Sequence, residues 1–232
     1  MECHMSTFRN VFRGKHTFLA VVHVEGNMQA ERNAAIAADG GADGIFLINH
    51  SIPYQSLLDC YQKLVEKFPG FWVGLNCLDI GMSAVSAIPQ KTAGLWVDNA
   101  GFDRGVGGPE AEMFEDLRKK SGWNGIYFGG VAFKGQQPVA DVARAAKAAV
   151  SHVDVITTSG SGTGFAPSVE KIRRMKYDII DHPIAIASGM TPENVALFMP
   201  YADCFLVATG ISDSYTELNP ARVCAFSKAL ET

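Results

Sequence analysis

Eight short runs rich in Val, Ile, Leu and Phe recur along this chain, and each is followed by a longer stretch with helical spacing. The runs are Thr17–Val24, Gly44–Asn49, Trp72–Leu78, Gly94–Asn99, Gly125–Gly130, Val153–Thr158, Ile184–Ser188 and Cys204–Thr209. Most are continuously apolar rather than alternating, which is the pattern of parallel strands buried on both faces. The helical stretches are Met28–Ala38, Tyr54–Phe68, Glu110–Lys120, Val139–Val150, Val169–Ile180, Pro192–Phe198 and Pro220–Leu230, with Ile80–Ala87 the weakest of the series. Gly40-Gly41 offers a C-cap to the first of them. Thr191-Pro192-Glu193-Asn194 and Asn219-Pro220 each combine a capping side chain with proline at the first helical position.

Eight strand-then-helix units predict a single α/β domain, a (β/α)₈ TIM barrel over residues 1–232, with 1–14 as an N-terminal extension. A doubly wound open sheet is the alternative, but it expects a GxGxxG turn after an early strand. The first strand here runs into His23-Val24-Glu25-Gly26-Asn27 instead. With 47% hydrophobic residues in 232, the chain can bury a core of that size.

A net charge of -4, with dispersed Lys and Arg, argues against nucleic acid as a partner. The densest basic group, Lys171, Arg173, Arg174 and Lys176, reads as a solvated helix face. The five cysteines (Cys3, Cys60, Cys77, Cys204, Cys224) show no CxxC, which suits a reducing compartment better than a disulfide framework. Of these, Cys77 is the one near a strand end, where a reactive thiol is conceivable. No apolar run is long enough to span a bilayer, and no signal segment is visible, so the expectation is a cytoplasmic protein. Exposed barrel ends and helix faces leave room for a homo-oligomer.

In such a barrel the chemistry sits at the C-terminal ends of the strands. Those positions hold His23 and Glu25, Asn49 and His50, Asn76, Asp98 and Asn99, and then Lys134 beyond Gly129-Gly130. They continue with Ser159-Gly160-Ser161-Gly162-Thr163-Gly164, Ser188-Gly189 and Thr209-Gly210. Glycines there let backbone N–H groups approach an anion, and Ser and Thr add hydroxyl donors. Such barrels often bind phosphate with the last two loops. Ser159, Gly160, Gly162, Thr163, Gly164, Ser188, Gly189, Thr209 and Gly210 are therefore expected around an anionic, phosphorylated ligand, with Asn76 and Asn99 as further substrate contacts. Ordinary tight turns would use similar residues.

Asp98 is the first catalytic candidate, since a carboxylate closing a buried strand is costly unless hydrogen-bonded or used. His23 and Glu25 offer an opposing acid–base group, and Lys134 can face a phosphate or a developing oxyanion. A metal held by His23, Glu25, His50 and Asp98 is the weaker reading, because spacing alone does not bring them together; no metal and no cofactor is expected. A Schiff-base aldolase is disfavoured by the lack of a lysine in the sixth strand. His4, His152 and His182 fall away from the expected mouth.

The segments Asp154–Gly164, Ile186–Val195 and Ala202–Gly210 resemble the BtpA/SgcQ family of barrels, which are related to the ribulose-phosphate-binding barrels that include phosphoribosylanthranilate isomerase. Val22-His23, Gly74-Leu75-Asn76-Cys77-Leu78 and Lys134 resemble the family's pattern too. The resemblance implies a phosphate among Gly162, Thr163, Gly164, Ser188, Gly189, Thr209 and Gly210. The chain departs from it where Glu25-Gly26-Asn27-Met28 replaces a proline-rich segment after His23, and where an Asn-Asp pair is absent after the third strand. One branch of the family is linked to photosystem I biogenesis and another to sugar-operon genes. The expectation is an enzyme, an isomerase, lyase or transferase on a phosphorylated small molecule. The alternative is a barrel that binds a metabolite or assists complex assembly without catalysis. Phosphoribosylanthranilate isomerase itself is disfavoured, because His23 and Gly129-Gly130 stand where that enzyme has Cys and Asp.

Overall fold

The computed structural model describes residues 7–102 and 106–231; Cys3 and His4 lie outside them. Eight parallel strands close into a barrel in sequence order: β1 Thr17–Val24, β2 Gly44–Asn49, β3 Trp72–Asn76, β4 Gly94–Val97, β5 Ile126–Gly130, β6 Val155–Thr158, β7 Ile184–Ile186 and β8 Cys204–Val207. Each strand pairs with the next, and β8 returns to β1 with Thr17 opposite Cys204. The predicted (β/α)₈ fold is therefore found. β3, β4, β7 and β8 end earlier than expected, and polar residues such as Asp98, Asn99 and Ser188 leave the ladder for the mouth.

Outward residues of the sheet, such as Phe18, Ala20 and Val22, join the core shared with the surrounding helices. Inward residues, among them Leu19, Val21, Phe46, Ile48, Trp96, Phe128, Val155, Ala185 and Leu206, fill the barrel. Phe46 is central, with ring centroids 5.0 Å from Phe128, 5.1 Å from Trp72 and 5.7 Å from Trp96. A Cβ on Gly74 or Gly94 would fall 2.4 Å from Phe46 or Trp72, so those glycines make room for the rings.

The helices are α1 Thr7–Val11, α2 Asn27–Asp39, α3 Tyr54–Lys67, α4 Ala84–Ala87, α5 Pro109–Ser121, α6 Val142–Ala149, α7 Val169–Tyr177 and α8 Pro220–Ala229. In α1, Phe8 and Phe12 are buried at the barrel's N-terminal end, against Phe128 and Trp72 respectively. Asn219 caps α8 by accepting from the Arg222 N–H, as expected. The helix expected over Pro192–Phe198 is instead a single 3₁₀ turn, Val195–Leu197. Asn194 draws the chain back, donating to the Gly189 carbonyl and accepting from the Thr191 N–H, and Pro200 disfavours helix beyond. Among the described residues no helix is long and apolar enough to cross a membrane.

The basic group on α7 is only partly a solvated face. Arg173 and Arg174 are exposed, but Lys176 donates to Asp203 and to the His182 carbonyl, and Lys171 turns back into the β5 and β6 loops. The long lysine stems let buried acceptors capture the heads.

Candidate functional site

A cavity of about 130 Å³ opens at the C-terminal mouth. His23, Asp98, Lys134, Thr163, Gly164, Ser188, Gly189 and Thr209 line it, together with His50, Trp96 and Tyr215. Each of the seven loops after β2 to β8 contributes, the one after β3 through Leu78, and His23 comes from the end of β1, as expected where strand ends of a barrel converge.

Asp98 follows β4 and accepts a hydrogen bond from Asn76 Nδ2 at 3.0 Å. Burial raises the affinity of this carboxylate for a proton, while the Asn76 bond and the Lys134 charge oppose the shift. His23, at the end of β1, is 9% exposed. Burial pushes its pKa down to about 4, and His50 and Lys134 add to the effect. Its imidazole is therefore neutral at pH 7. The rings of His50 and Tyr215 pack against it, and burial also lowers the His50 pKa. Lys134 Nζ donates to Thr163 Oγ1 at 3.2 Å. It lies close enough to His23, His50 and Asp98 for its charge to be felt at all three.

The glycine-rich loops meet at the rim, but their residues do different things. Gly164, at φ +80°, faces Thr209 across open space, and a Cβ there would come no closer than 3.9 Å to the Thr209 hydroxyl. Gly160 and Gly189 are instead demanded by backbone packing. A Cβ on Gly160 would lie 2.1 Å from the Phe165 carbonyl oxygen, and one on Gly189 would lie 2.0 Å from the Ala166 nitrogen. Gly210 sits as tightly against the Met190 carbonyl. The Ser188 hydroxyl accepts from the Gly160 N–H and donates to the Phe165 carbonyl, locking the two loops together. Thr209 opens a one-turn 3₁₀ helix, Thr209–Ile211, whose first N–H groups have no acceptor within the helix.

Other expected site residues stand outside the mouth cavity. Glu25 is exposed, with its N–H donating to Gln29. Asn99 accepts from the Gly101 N–H and from Gln136, and so shapes the loop after β4. Asn76 acts on the cavity only through Asp98. Ser159 accepts from the Lys134 N–H, and both Ser159 and Gly160 border a separate cavity. Gly162 turns the loop by accepting from the Phe165 N–H. Cys77 is buried, and its thiol is pushed up to about 12, away from reactivity. No group of three or more His, Cys, Asp or Glu among the described residues is placed to hold a metal ion.

Among the lining residues not expected from the sequence are two aromatic rings, Trp96 and Tyr215. Trp96 lies two residues before Asp98, so strand alternation puts both on the inward face, and that periodicity was a usable signal. Tyr215 comes from the loop between β8 and α8, where nothing in the local sequence announces a ring folded over His23.

No protein-family model matches the chain. An uncharacterized protein of Pyrococcus abyssi (strain GE5 / Orsay) is 33% identical over 66 residues, which is 28% of this chain and a quarter (25%) of that protein. Among solved structures, (S)-3-O-geranylgeranylglyceryl phosphate synthase from Thermoplasma acidophilum, in complex with its substrate sn-glycerol-1-phosphate, is 15% identical with a TM-score of 0.71 over 99% of both chains. Tryptophan synthase subunit alpha from Legionella pneumophila is 12% identical, with a TM-score of 0.68 over 98% of this chain and 97% of that one. Phosphoribosyl anthranilate isomerase from Thermus thermophilus is 12% identical, with a TM-score of 0.64 over 93% and 98%. The chain therefore shares its closed (β/α)₈ barrel with phosphoribosyl anthranilate isomerase and the two synthases, the fold that the sequence resemblance implied.

Proposed function

We propose that the chain is an enzyme that binds a phosphorylated small molecule at the barrel mouth and moves a proton on it, in keeping with its resemblance to the BtpA/SgcQ barrels. The observation that carries this reading is the meeting of Asp98, His23 and Lys134 in the same cavity as Gly164, Gly189 and Thr209. The N–H and hydroxyl groups of the last two loops and of Gly164 hold the phosphate. Asp98, whose burial makes it a stronger base than a solvated carboxylate, takes the proton, and Asn76 orients it. Lys134 offsets the negative charge that then develops, and the neutral His23 serves as hydrogen-bond partner on the opposing strand. Phosphate-handling barrels among the solved structures of this fold agree with the reading.

The test is thermal unfolding with inorganic phosphate, ribose 5-phosphate, glycerol phosphate and nucleotides. A ligand present at about 100 times its dissociation constant stabilises the fold by about 2.7 kcal/mol. If none of these anions moves the melting temperature, the phosphate site is wrong. Ligands that bind are then screened for turnover, and tight binding with no turnover on any of them favours a non-catalytic barrel.

A further inference from the structure

The loops after β5 and β6 border a second cavity, larger and more open than the mouth, of about 540 Å³. Two ammonium groups, those of Lys134 and Lys171, belong to its lining, and no Asp or Glu does. Lys171 stands in the first turn of α7. Its Nζ donates to the carbonyls of Ala132 at 2.5 Å and Ser159 at 2.7 Å, which leaves one of its three N–H donors. No carboxylate offsets its half-buried charge, and burial alone brings the ammonium down to about 8. A half-buried cation with only dipoles for company carries part of that desolvation cost, and a negative ligand relieves it.

The surroundings are built rather than incidental. Ala132 holds φ +49°, the one positive φ outside glycine among the described residues. Its carbonyl accepts from both Thr158 Oγ1 and Lys171 Nζ, so the strained residue is held from two sides. Ser168 caps α7 by accepting from the Lys171 N–H at 3.1 Å and also borders the cavity, so the positive end of that helix adjoins it. Phe133, Val139 and Pro167 supply an apolar wall.

We propose that this cavity is a second anion-binding site, taking the phosphate or carboxylate of a small organic anion whose carbon body rests on the apolar wall. The two cavities share Lys134, whereas Lys171 lines this one and not the mouth, so Lys171 is the group that reports on this site. The competing account makes Lys171 nothing more than a strap between the two loops.

The experiment is amine footprinting of the intact protein with acetic anhydride at pH 8, read by peptide mass spectrometry, with inorganic phosphate, phenyl phosphate or benzoate present. The exposed Lys147 serves as internal reference. If a bound anion raises the Lys171 pKa by about one unit, its free-amine fraction and labelling rate fall about fivefold. Protection by phenyl phosphate but not benzoate assigns the site to phosphate, and the converse assigns it to carboxylate. An unchanged Lys171 rate with all three anions overturns the site, even where phosphate raises the melting temperature through the mouth. As a second measure, Lys171→Gln is expected to lose part of the stabilisation that the protecting anion gives the wild type. A variant stabilised as much as the wild type also overturns the proposal.

Discussion

The imidazoles of His23 and His50 are stacked, with centroids 4.9 Å apart and planes 29° from parallel. Tyr215 lies over His23 with centroids at 4.1 Å. A proton on His23 would place a charge in a buried position facing His50 and Lys134, which is why its pKa sits at about 4.

That relationship predicts a pH dependence of stability. An unfolded histidine titrates near 6.5, so between there and about 4 the unfolded chain binds the extra proton and the folded chain does not. Stability is therefore lost as the pH falls through that window, by roughly 3 kcal/mol for a full shift of this size. His182, half-buried at the other end of the barrel with a pKa also near 4, works in the same direction. His23→Asn should make the decline between pH 7 and 4 shallower without abolishing it, as measured by urea unfolding at each pH. Equal slopes in variant and wild type would contradict the assignment.

Asp98 predicts an opposition between stability and activity. Its carboxylate is desolvated and accepts one hydrogen bond, from Asn76. Asp98→Asn keeps the shape and an acceptor for Asn76 while removing the buried charge. The variant is expected to be as stable as the wild type or up to about 1 kcal/mol more so, and to lose turnover by two orders of magnitude or more, roughly the share of a general base. Phosphate-ligand affinity should stay within a few-fold. A variant that binds and turns over normally removes Asp98 from the chemistry.

Phe8 predicts a purely structural effect. Its ring is fully buried under the barrel, with its centroid 6.2 Å from that of Phe128. Phe8→Ala leaves a void at the end opposite the mouth and should cost about 3–5 kcal/mol in denaturant unfolding. Ligand affinity, measured below the unfolding transition, should not change.

The barrel was legible because its strands are continuous apolar runs punctuated by helices; β1 and β2 fall on the residues expected from that pattern alone. The mouth was legible in part, because strand ends announce themselves by polarity, and Asp98, His23 and Lys134 do share one cavity. Glu25 could not be told from His23 in the sequence, since two residues along a strand share a face; but β1 ends at Val24, and the turn into α2 leaves Glu25 exposed while His23 stays buried. The roles of Ser159 and Ser188 were hidden for a different reason. A hydroxyl beside glycine looks the same whether it meets a ligand or another loop, and here both hydroxyls are engaged between loops distant in sequence. Lys171 reads as a surface lysine from its helix, and only tertiary structure bends it onto two backbone carbonyls.

The same ambiguity among the glycines yields a paired prediction. Gly164 and Gly189 both hold positive φ, +80° and +67°, where an L side chain costs about 1–2 kcal/mol. Beyond that they differ. Alanine at Gly164 meets nothing nearer than the Thr209 hydroxyl at 3.9 Å, but its methyl projects onto the rim of the mouth cavity. Alanine at Gly189 drives a methyl to 2.0 Å from the Ala166 nitrogen and 2.4 Å from the Phe165 carbonyl carbon, and backbone on that side cannot swing away as a side chain would. Gly189→Ala should therefore lower stability by about 2–4 kcal/mol, overpacking adding to the strained φ. Gly164→Ala should cost only the smaller strain while weakening a phosphate ligand severalfold. Melting temperature and ligand affinity, measured on both variants, separate the two roles. If Gly164→Ala binds phosphate as tightly as the wild type, the β6 loop is scaffolding alone, and the anion must be held by the loops after β7 and β8.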